Sequence, residues 1–237
     1  MAGKFVRGAF VQFMQTFLIP LPNIIIFQFN PETMTHTWTP AQPQGGAASD
    51  ADPLAVKGNP GESFSFSLAM DANDMIADGS PVAEGIATVS GIYTRIAALE
   101  MLLYPQGGSG GGLLGSVSVG AGGISFGGGA SAGVKSDVPR SVLPTVLFVW
   151  GPGRILPVKI TSLTITEKLY DATLLNPIHA DAQVSVQVLT PEELNHVTGP
   201  LAEVAKGAYV YSQGLRQTLA IANLANSAES VIGMLPI

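Results

Sequence analysis

Eight residues near the middle of the chain, Ser63-Phe64-Ser65-Phe66-Ser67-Leu68-Ala69-Met70, alternate large apolar side chains with small ones. A side-chain period of two places Phe64, Phe66, Leu68 and Met70 on one face of a strand and the serines on the other. A helix would scatter the same four residues around its axis. This segment therefore predicts a sheet with one face turned to a core, and the rest of the chain must supply the other strands.

It does so in both directions. Residues 4–19, with Phe5, Phe13, Phe17 and Ile19 among polar partners, predict a first strand, and Pro20-Leu21-Pro22-Asn23 a turn. Ile24-Ile25-Ile26-Phe27-Gln28-Phe29 predicts a β-branched second strand, stopped by Asn30-Pro31-Glu32, and residues 33–39 a third in which threonines alternate with larger residues. Residues 40–61, rich in Pro, Gly, Ala and Asp, predict a surface loop. Three further strands are expected at Pro144 to Trp150, Leu156 to Tyr170 and Ala180 to Leu189. The period changes twice. Val82, Ile86, Val89, Tyr93, Ile96 and Leu103 recur at threes and fours, which predicts a helix over 82–103 with one apolar stripe. Pro191 opens a polar helical stretch, and from Leu201 the spacing Val204, Ala208, Tyr211, Leu215, Leu219 is helical again. That tail is rich in small residues and nearly uncharged, so it packs either on a neighbour or on its own domain. Residues 107–133 are about half glycine and predict a flexible loop, mobile in the free subunit. The sum is an α+β domain of six or seven strands, a β-rich barrel or sandwich with a flanking helix and a C-terminal helical tail. The expected division is a domain over 1–190, carrying the inserted loop 107–133, and an extension over 191–237.

Composition narrows what such a domain does. Charged residues are 12% of the chain against 46% hydrophobic. A soluble domain ordinarily carries about 25% charged residues, so much of this surface is expected to be covered by partners. The most apolar stretch, Phe5 to Phe27, is interrupted by Arg7, Gln12, Gln15, Pro20, Pro22 and Asn23, which argues against a membrane span and against a secretory signal. The expected location is therefore the cytoplasm. A net charge of −6 and the absence of any Lys/Arg cluster argue against a nucleic-acid partner. With no cysteine, disulfides and thiolate chemistry are excluded.

A search for chemistry finds no constellation. His36, His179 and His196 stand at no metal-ligand spacing, and structural or surface roles are expected for them. Asp71, Asn73, Asp74 and Asp78 begin like a calcium loop, but Met75 and Ile76 fill the next places and no Glu stands at position 12. A solvated turn that caps a following helix is the better reading. The glycine tract lacks the Gly-Lys-Ser/Thr of a phosphate loop. No catalytic residue, cofactor or metal is expected.

Three ordered segments carry a resemblance. Phe27-Gln28-Phe29-Asn30-Pro31-Glu32 is similar to the early F-N-P-E motif of the tube-adaptor, or tube-initiator, proteins of contractile injection systems, the phage-tail-like particles whose members are often of LysM type. Gly58-Asn59-Pro60-Gly61-Glu62 followed by Phe64 to Asp71 resembles the family's second block. Pro144 to Gly151, with Phe148 and Trp150, looks like its P-x-x-x-F-x-W-G strand. Val158 through Tyr170-Asp171, then Asn176 to Ala180 and Val184 to Val186, resemble the closing hairpin. The set spans residues 24–189. His179 stands where a basic residue is usual, the glycine tract is an insertion, and a helical tail follows Thr190 where many members carry LysM.

The resemblance implies a tail-tube-like barrel and a homo-hexameric ring stacked coaxially on the inner tube protein. The neighbour on its other face would be a baseplate hub or spike protein, where the ring nucleates tube growth, or a cap protein at the far end of the particle. It implies fold or interface roles for Phe27, Phe29, Asn30, Pro31, Phe64, Phe66, Asp71, Phe148, Trp150, Gly151, Tyr170 and Ala180, with Trp38 beside them and Trp150 in the core. Two other classes compete with this expectation. An enzyme would need an activity resting on His36, His179 or the carboxylates of 71–78, and a ligand-binding barrel would need a stable monomer with a filled pocket.

Overall fold

The alternating segment forms most of the strand next to one edge of a seven-stranded antiparallel sheet in the computed structural model, which describes residues 6–14, 21–43, 54–77, 90–105, 117–120, 123–126, 143–197 and 202–234. The strands are β1 (Ala9–Met14), β2 (Leu21–Ile26), β3 (Met34–Thr39), β6 (Gly61–Asp71), β9 (Val146–Val149), β10 (Ile155–Tyr170) and β11 (Pro177–Val188). Two-residue strands β4 (Gln42–Pro43) and β5 (Val56–Lys57) pair apart from this sheet, as do β7 (Val117–Gly120) and β8 (Gly123–Phe126). The helices are α1 (Ala72–Ala77), α2 (Tyr93–Glu100), α3 (Pro191–Leu194) and α4 (Ala202–Met234). The fold is α+β, and the order across the large sheet is β2-β1-β9-β10-β11-β6-β3.

This sheet is strongly curled. Phe10 on β1 and Phe66 on β6 are four strand spacings apart, about 19 Å in a flat sheet, yet their ring centroids stand 6.2 Å apart. The chain link demands the same curvature. Residues 27–33 join β2 to β3, which lie on opposite edges. Six strand spacings are about 29 Å, which the eight Cα steps from Ile26 to Met34 reach only when fully extended, whereas this linker bends at residues 28, 29 and 32. Among the described residues no ladder joins β2 to β3, so the sheet is curled but open.

The concave face holds the core. Phe64, Phe66, Leu68 and Met70 point into it as their alternation requires, meeting Val146 and Phe148, Val158 and Ile160, and Ala180, Ala182, Val184 and Val186 from the neighbouring strands. Rings of Phe10, Phe27, Phe64, Phe66 and Phe148 pack at centroid distances of 5.1 to 6.4 Å. Helix α2 lies on this face through Ile96 and Leu99, with Ile92 and Leu102 at its ends. It can approach because Gly91 sits at φ +56°, where a Cβ would stand 2.4 Å from the Pro177 carbonyl oxygen. That oxygen accepts from the Ile92 N–H. On the convex face, Leu147, Leu189, Leu194 and Ala205 form a second, smaller cluster that seats α3 and the start of α4.

Several expected boundaries move. The first strand was expected over 4–19 and runs from Ala9 to Met14, while residues 4, 5 and 15–19 lie outside the described residues. The second begins three residues early and stops before Phe27. Pro22 is tolerated inside it because β2 is an edge strand, paired only with β1 among the described residues. The expected loop 40–61 includes the short β4–β5 pair, and the final strand starts at Pro177 rather than Ala180. Helix α2 is shorter than the expected 82–103, residues 82–89 lying outside the described residues. The glycine tract, expected to be loop throughout, contains the hairpin β7–β8. Its alternation of Val117, Val119, Ile124 and Phe126 with Ser and Gly has the period of a strand, which glycine content alone conceals. The remainder of that tract lies outside the described residues.

Local capping agrees with the sequence. Asp71 Oδ1 accepts from the Asn73 N–H at 2.7 Å, so the 71–74 turn caps α1 as expected. Thr190 and Glu193 close a reciprocal capping box at the start of α3, and Lys159 reaches Glu193 at 3.2 Å. Partial burial opposes ionisation of Glu193, but hydrogen bonds from the Thr190 backbone and Lys159 outweigh it and hold the carboxyl below its ordinary value.

Candidate functional site

The segment Phe27 to Thr33 does two jobs with one stretch of chain. Phe27 turns into the core and its N–H donates to the Gly8 carbonyl at 2.9 Å. Gly8 has no room for a side chain, since a Cβ there would lie 2.7 Å from both the Phe27 and Trp150 rings. The next two polar residues act as side-chain imitations of backbone. Gln28 Nε2 donates to the Asp71 carbonyl at 2.7 Å and Gln28 Oε1 accepts from the Asp71 N–H at 3.0 Å, while Asp74 takes a second bond from Nε2 at 3.1 Å. Asn30 repeats the pattern on the other side. Its Oδ1 accepts from the Gly8 N–H and its Nδ2 donates to the Val6 carbonyl, both at 2.9 Å. One amide thus holds the end of β6 and the other the approach to β1, clasping the curled sheet across its open seam.

The two amides differ in burial, and that decides what each contributes. Gln28 is buried, whereas Asn30 is exposed. Removing a buried partner leaves groups unsatisfied at about 1–3 kcal/mol, while water replaces an exposed one. Gln28→Ala is therefore expected to lower the denaturation midpoint more than Asn30→Ala. Equal losses in urea titrations would show that the two amides do not act as described.

Outside this clasp lies an open groove of about 750 Å³, bounded by Arg7, Phe29, Asn30, Pro31, Glu32 and the outward residues Ser67, Ala69 and Asp181. Phe29 is exposed on its rim. Around it, Asp181 pairs with Lys168, and His179 stands 3.7 Å from both Asp71 and Asp181.

The second constellation lies at the end of the sheet where β3 finishes and β6 begins. Glu62 falls on the core-facing phase of β6 and its side chain is only 3% exposed. His36 Nε2 lies 2.8 Å from Glu62 Oε1, and the Arg216 guanidinium of α4 grips both carboxylate oxygens. The same guanidinium lies over the Trp38 ring at 5.1 Å, and His36 stacks on Phe64 at 4.3 Å. Further back along α4, Ser212 Oγ donates to the Ile155 carbonyl at 2.7 Å and accepts its N–H at 3.1 Å, and Tyr211 donates to the Pro152 carbonyl. These bonds fix α4 across the β9–β10 turn. Beyond Arg216, residues 217–224 and Ser227 are exposed.

The residues implicated by the sequence thus divide. Phe27, Phe64, Phe66, Phe148 and Ala180 are buried core positions. Trp150 packs on the rim of that core, and Gly151 takes φ +68° in the β9–β10 turn. Asn30 and Asp71 belong to the clasp, Pro31 lines the groove, and Phe29, Trp38 and Tyr170 are exposed. Glu62, Arg216 and Gln28 escaped the sequence reading as a working set. The available signal was an acidic residue in phase with Phe64, Phe66, Leu68 and Met70, a position that requires a cationic partner.

Among the described residues no group of three or more His, Asp or Glu side chains is placed to hold a metal ion, and no helix is long and apolar enough to cross a membrane. No family model matches the chain, and no curated protein matches it.

Proposed function

We propose that the chain is a non-catalytic adaptor subunit of a contractile injection system, forming a homo-hexameric ring stacked on the inner tube at its baseplate end and nucleating tube growth. The observation that carries this reading is the pair of sheet edges that no strand covers among the described residues. Strands β2 and β3 hold no Asp, Glu, Lys or Arg, and Ile24, Ile26 and Trp38 lie exposed on them. Such edges are sticky unless a neighbour covers them. A head-to-tail ring sets β2 of one copy beside β3 of the next, which completes the barrel wall that a single chain leaves open. The low charge content suits a subunit whose sides and faces are covered. The ordered resemblance across residues 24–189 supplies the particle, and its assembly takes place in the cytoplasm. Inner tube protein contacts one face and a hub or spike protein the other.

The second reading keeps the ring and places it at the cap end. The helix α4, standing where many members of the resembled family carry LysM, favours it.

A tag fused to the chain and labelled with gold on purified particles tests both. Label at the baseplate end is the expected result, and label at the opposite end assigns the cap. Particles without label, from a lysate that contains tagged protein, would remove the proposal altogether.

A further inference from the structure

Among the described side chains of helix α4, those anchored to the rest of the chain lie in its first half. Ala202, Ala205 and Ser212 are buried and Arg216 is bound to Glu62, whereas residues 217–224 and 227 are exposed. The stretch from Gln217 to Met234 is about 27 Å of helix at 1.5 Å per residue. It contains a single charged residue, Glu229. A helix polar on all sides could stand in water, but this one carries Ile221 and Leu224, each 69% exposed.

Those two belong to a longer pattern. Gly207, Val210, Gly214, Gln217, Ile221, Leu224, Ala228 and Val231 are spaced alternately by three and four residues over the helix, the repeat of a coiled-coil seam. Val210 is 68% exposed, and at Gly207 and Gly214 an added Cβ would meet nothing within 4 Å. The seam therefore runs along the side of α4 turned away from the sheet, from the anchored half into the projecting half.

We infer that this seam packs in parallel and in register against α4 of another copy of the same chain. Three observations select that occupant. Apart from Lys206 at its base, which pairs with Glu203 of the same helix, the seam and its flanking positions Tyr211, Gln213, Thr218, Ala220, Ala225 and Ser227 hold no charge, so little in them selects a partner of complementary sign or repels a copy of themselves. Ile221 and Leu224 occupy the successive a and d positions that suit two parallel strands, and Gly207 and Gly214 let backbones approach at the base. The seam from Gly207 to Met234 is about 42 Å long, and the facing side of a helix of 10–12 Å diameter gives it an area of the order of 800 Å² per partner, the size of a stable interface. All copies in the proposed ring project α4 from the same face and in the same direction, which supplies the parallel orientation; a seam that meets its own counterpart joins copies two at a time, so the six helices pair as three dimers and do not follow the six-fold axis. In that respect the inference rests on the ring.

The chain has no cysteine, so single-cysteine variants report directly. Full-length Leu224→Cys and, as a control on another side of the helix, Asn223→Cys are purified with their assemblies and oxidised. The expected result is a covalent homodimer for most Leu224→Cys chains and for few Asn223→Cys chains. Equal cross-linking of the two variants within intact rings overturns the inference and leaves the ring standing. Cross-linking of Leu224→Cys to a different particle protein also overturns it. A Leu224→Cys homodimer in a chain that never associates with particles sustains the helix pairing and sinks the ring.

Discussion

Replacing Phe148 by alanine is expected to remove about 3–5 kcal/mol of stability, a large share of the roughly 5–15 kcal/mol of an ordinary domain. Phe148 is fully buried on β9, the third strand from the β2 edge, and its ring meets Phe64 and Phe66 at 5.6 and 5.5 Å, Phe10 at 5.8 Å and Phe27 at 6.4 Å. Those partners come from both arms of the curled sheet and from the clasp segment. Deleting the ring opens a cavity where the two arms meet, and the strands cannot close on it without losing the register that β1 and β10 impose on β9. Guanidinium denaturation of the purified chain measures the loss. Tyr170→Ala, at an exposed position of the same resemblance, is expected to stay within about 0.5 kcal/mol of the parent chain. A Phe148→Ala midpoint as close to the parent as that of Tyr170→Ala would mean that the aromatic cluster does not hold the curl.

The strands were legible wherever burial had a period. From Phe64 to Met70 the alternation fixed both the strand and its inward face, and Val184, Val186 and Val188 did the same for β11. The edges were less legible because an edge strand is specified by one neighbour rather than two. Pro22 reads as a turn residue and sits in β2 all the same, while Phe27 to Phe29 read as strand and leave it. The motif residues were located but not their work. Nothing in the spelling Phe-Gln-Phe-Asn-Pro-Glu says that Gln28 pairs with the backbone at Asp71 and Asn30 with Val6 and Gly8. A side-chain amide replacing a ladder bond has no period to announce it. The curl itself followed from topology, and the strand order was the missing information. The seam on α4 was hidden differently, since the sequence gives helical spacing for both its sides and only the anchored side's contacts reveal which one is left open.

Arg216→Met is expected to cost about 2–4 kcal/mol, somewhat under the 3–5 kcal/mol of a buried ion pair stripped of one partner. The discount follows from His36, which keeps one hydrogen bond to Glu62 when the guanidinium is gone. What remains is a carboxylate with almost no solvent contact, in a site whose walls are Trp38 and Phe64. Removing its charge should therefore recover part of the loss, and the double variant Glu62→Gln with Arg216→Met is expected to be more stable than Arg216→Met alone. That ordering is the informative result, because a guanidinium that merely covered Trp38 with its aliphatic stem would make Arg216→Met costly without any recovery from Glu62→Gln. Urea titrations of the three variants give the coupling. Amide exchange along α4 adds the structural half. If Arg216 is the last tether between α4 and the sheet, faster exchange in Arg216→Met begins near residue 216 and leaves residues 202–212 protected by the Leu147–Leu194–Ala205 cluster and the Ser212 bonds. Uniform acceleration along the helix would instead place the tether at its base, and Glu62 would then be a local stabiliser of β3 and β6 with no hold on the projecting half of α4.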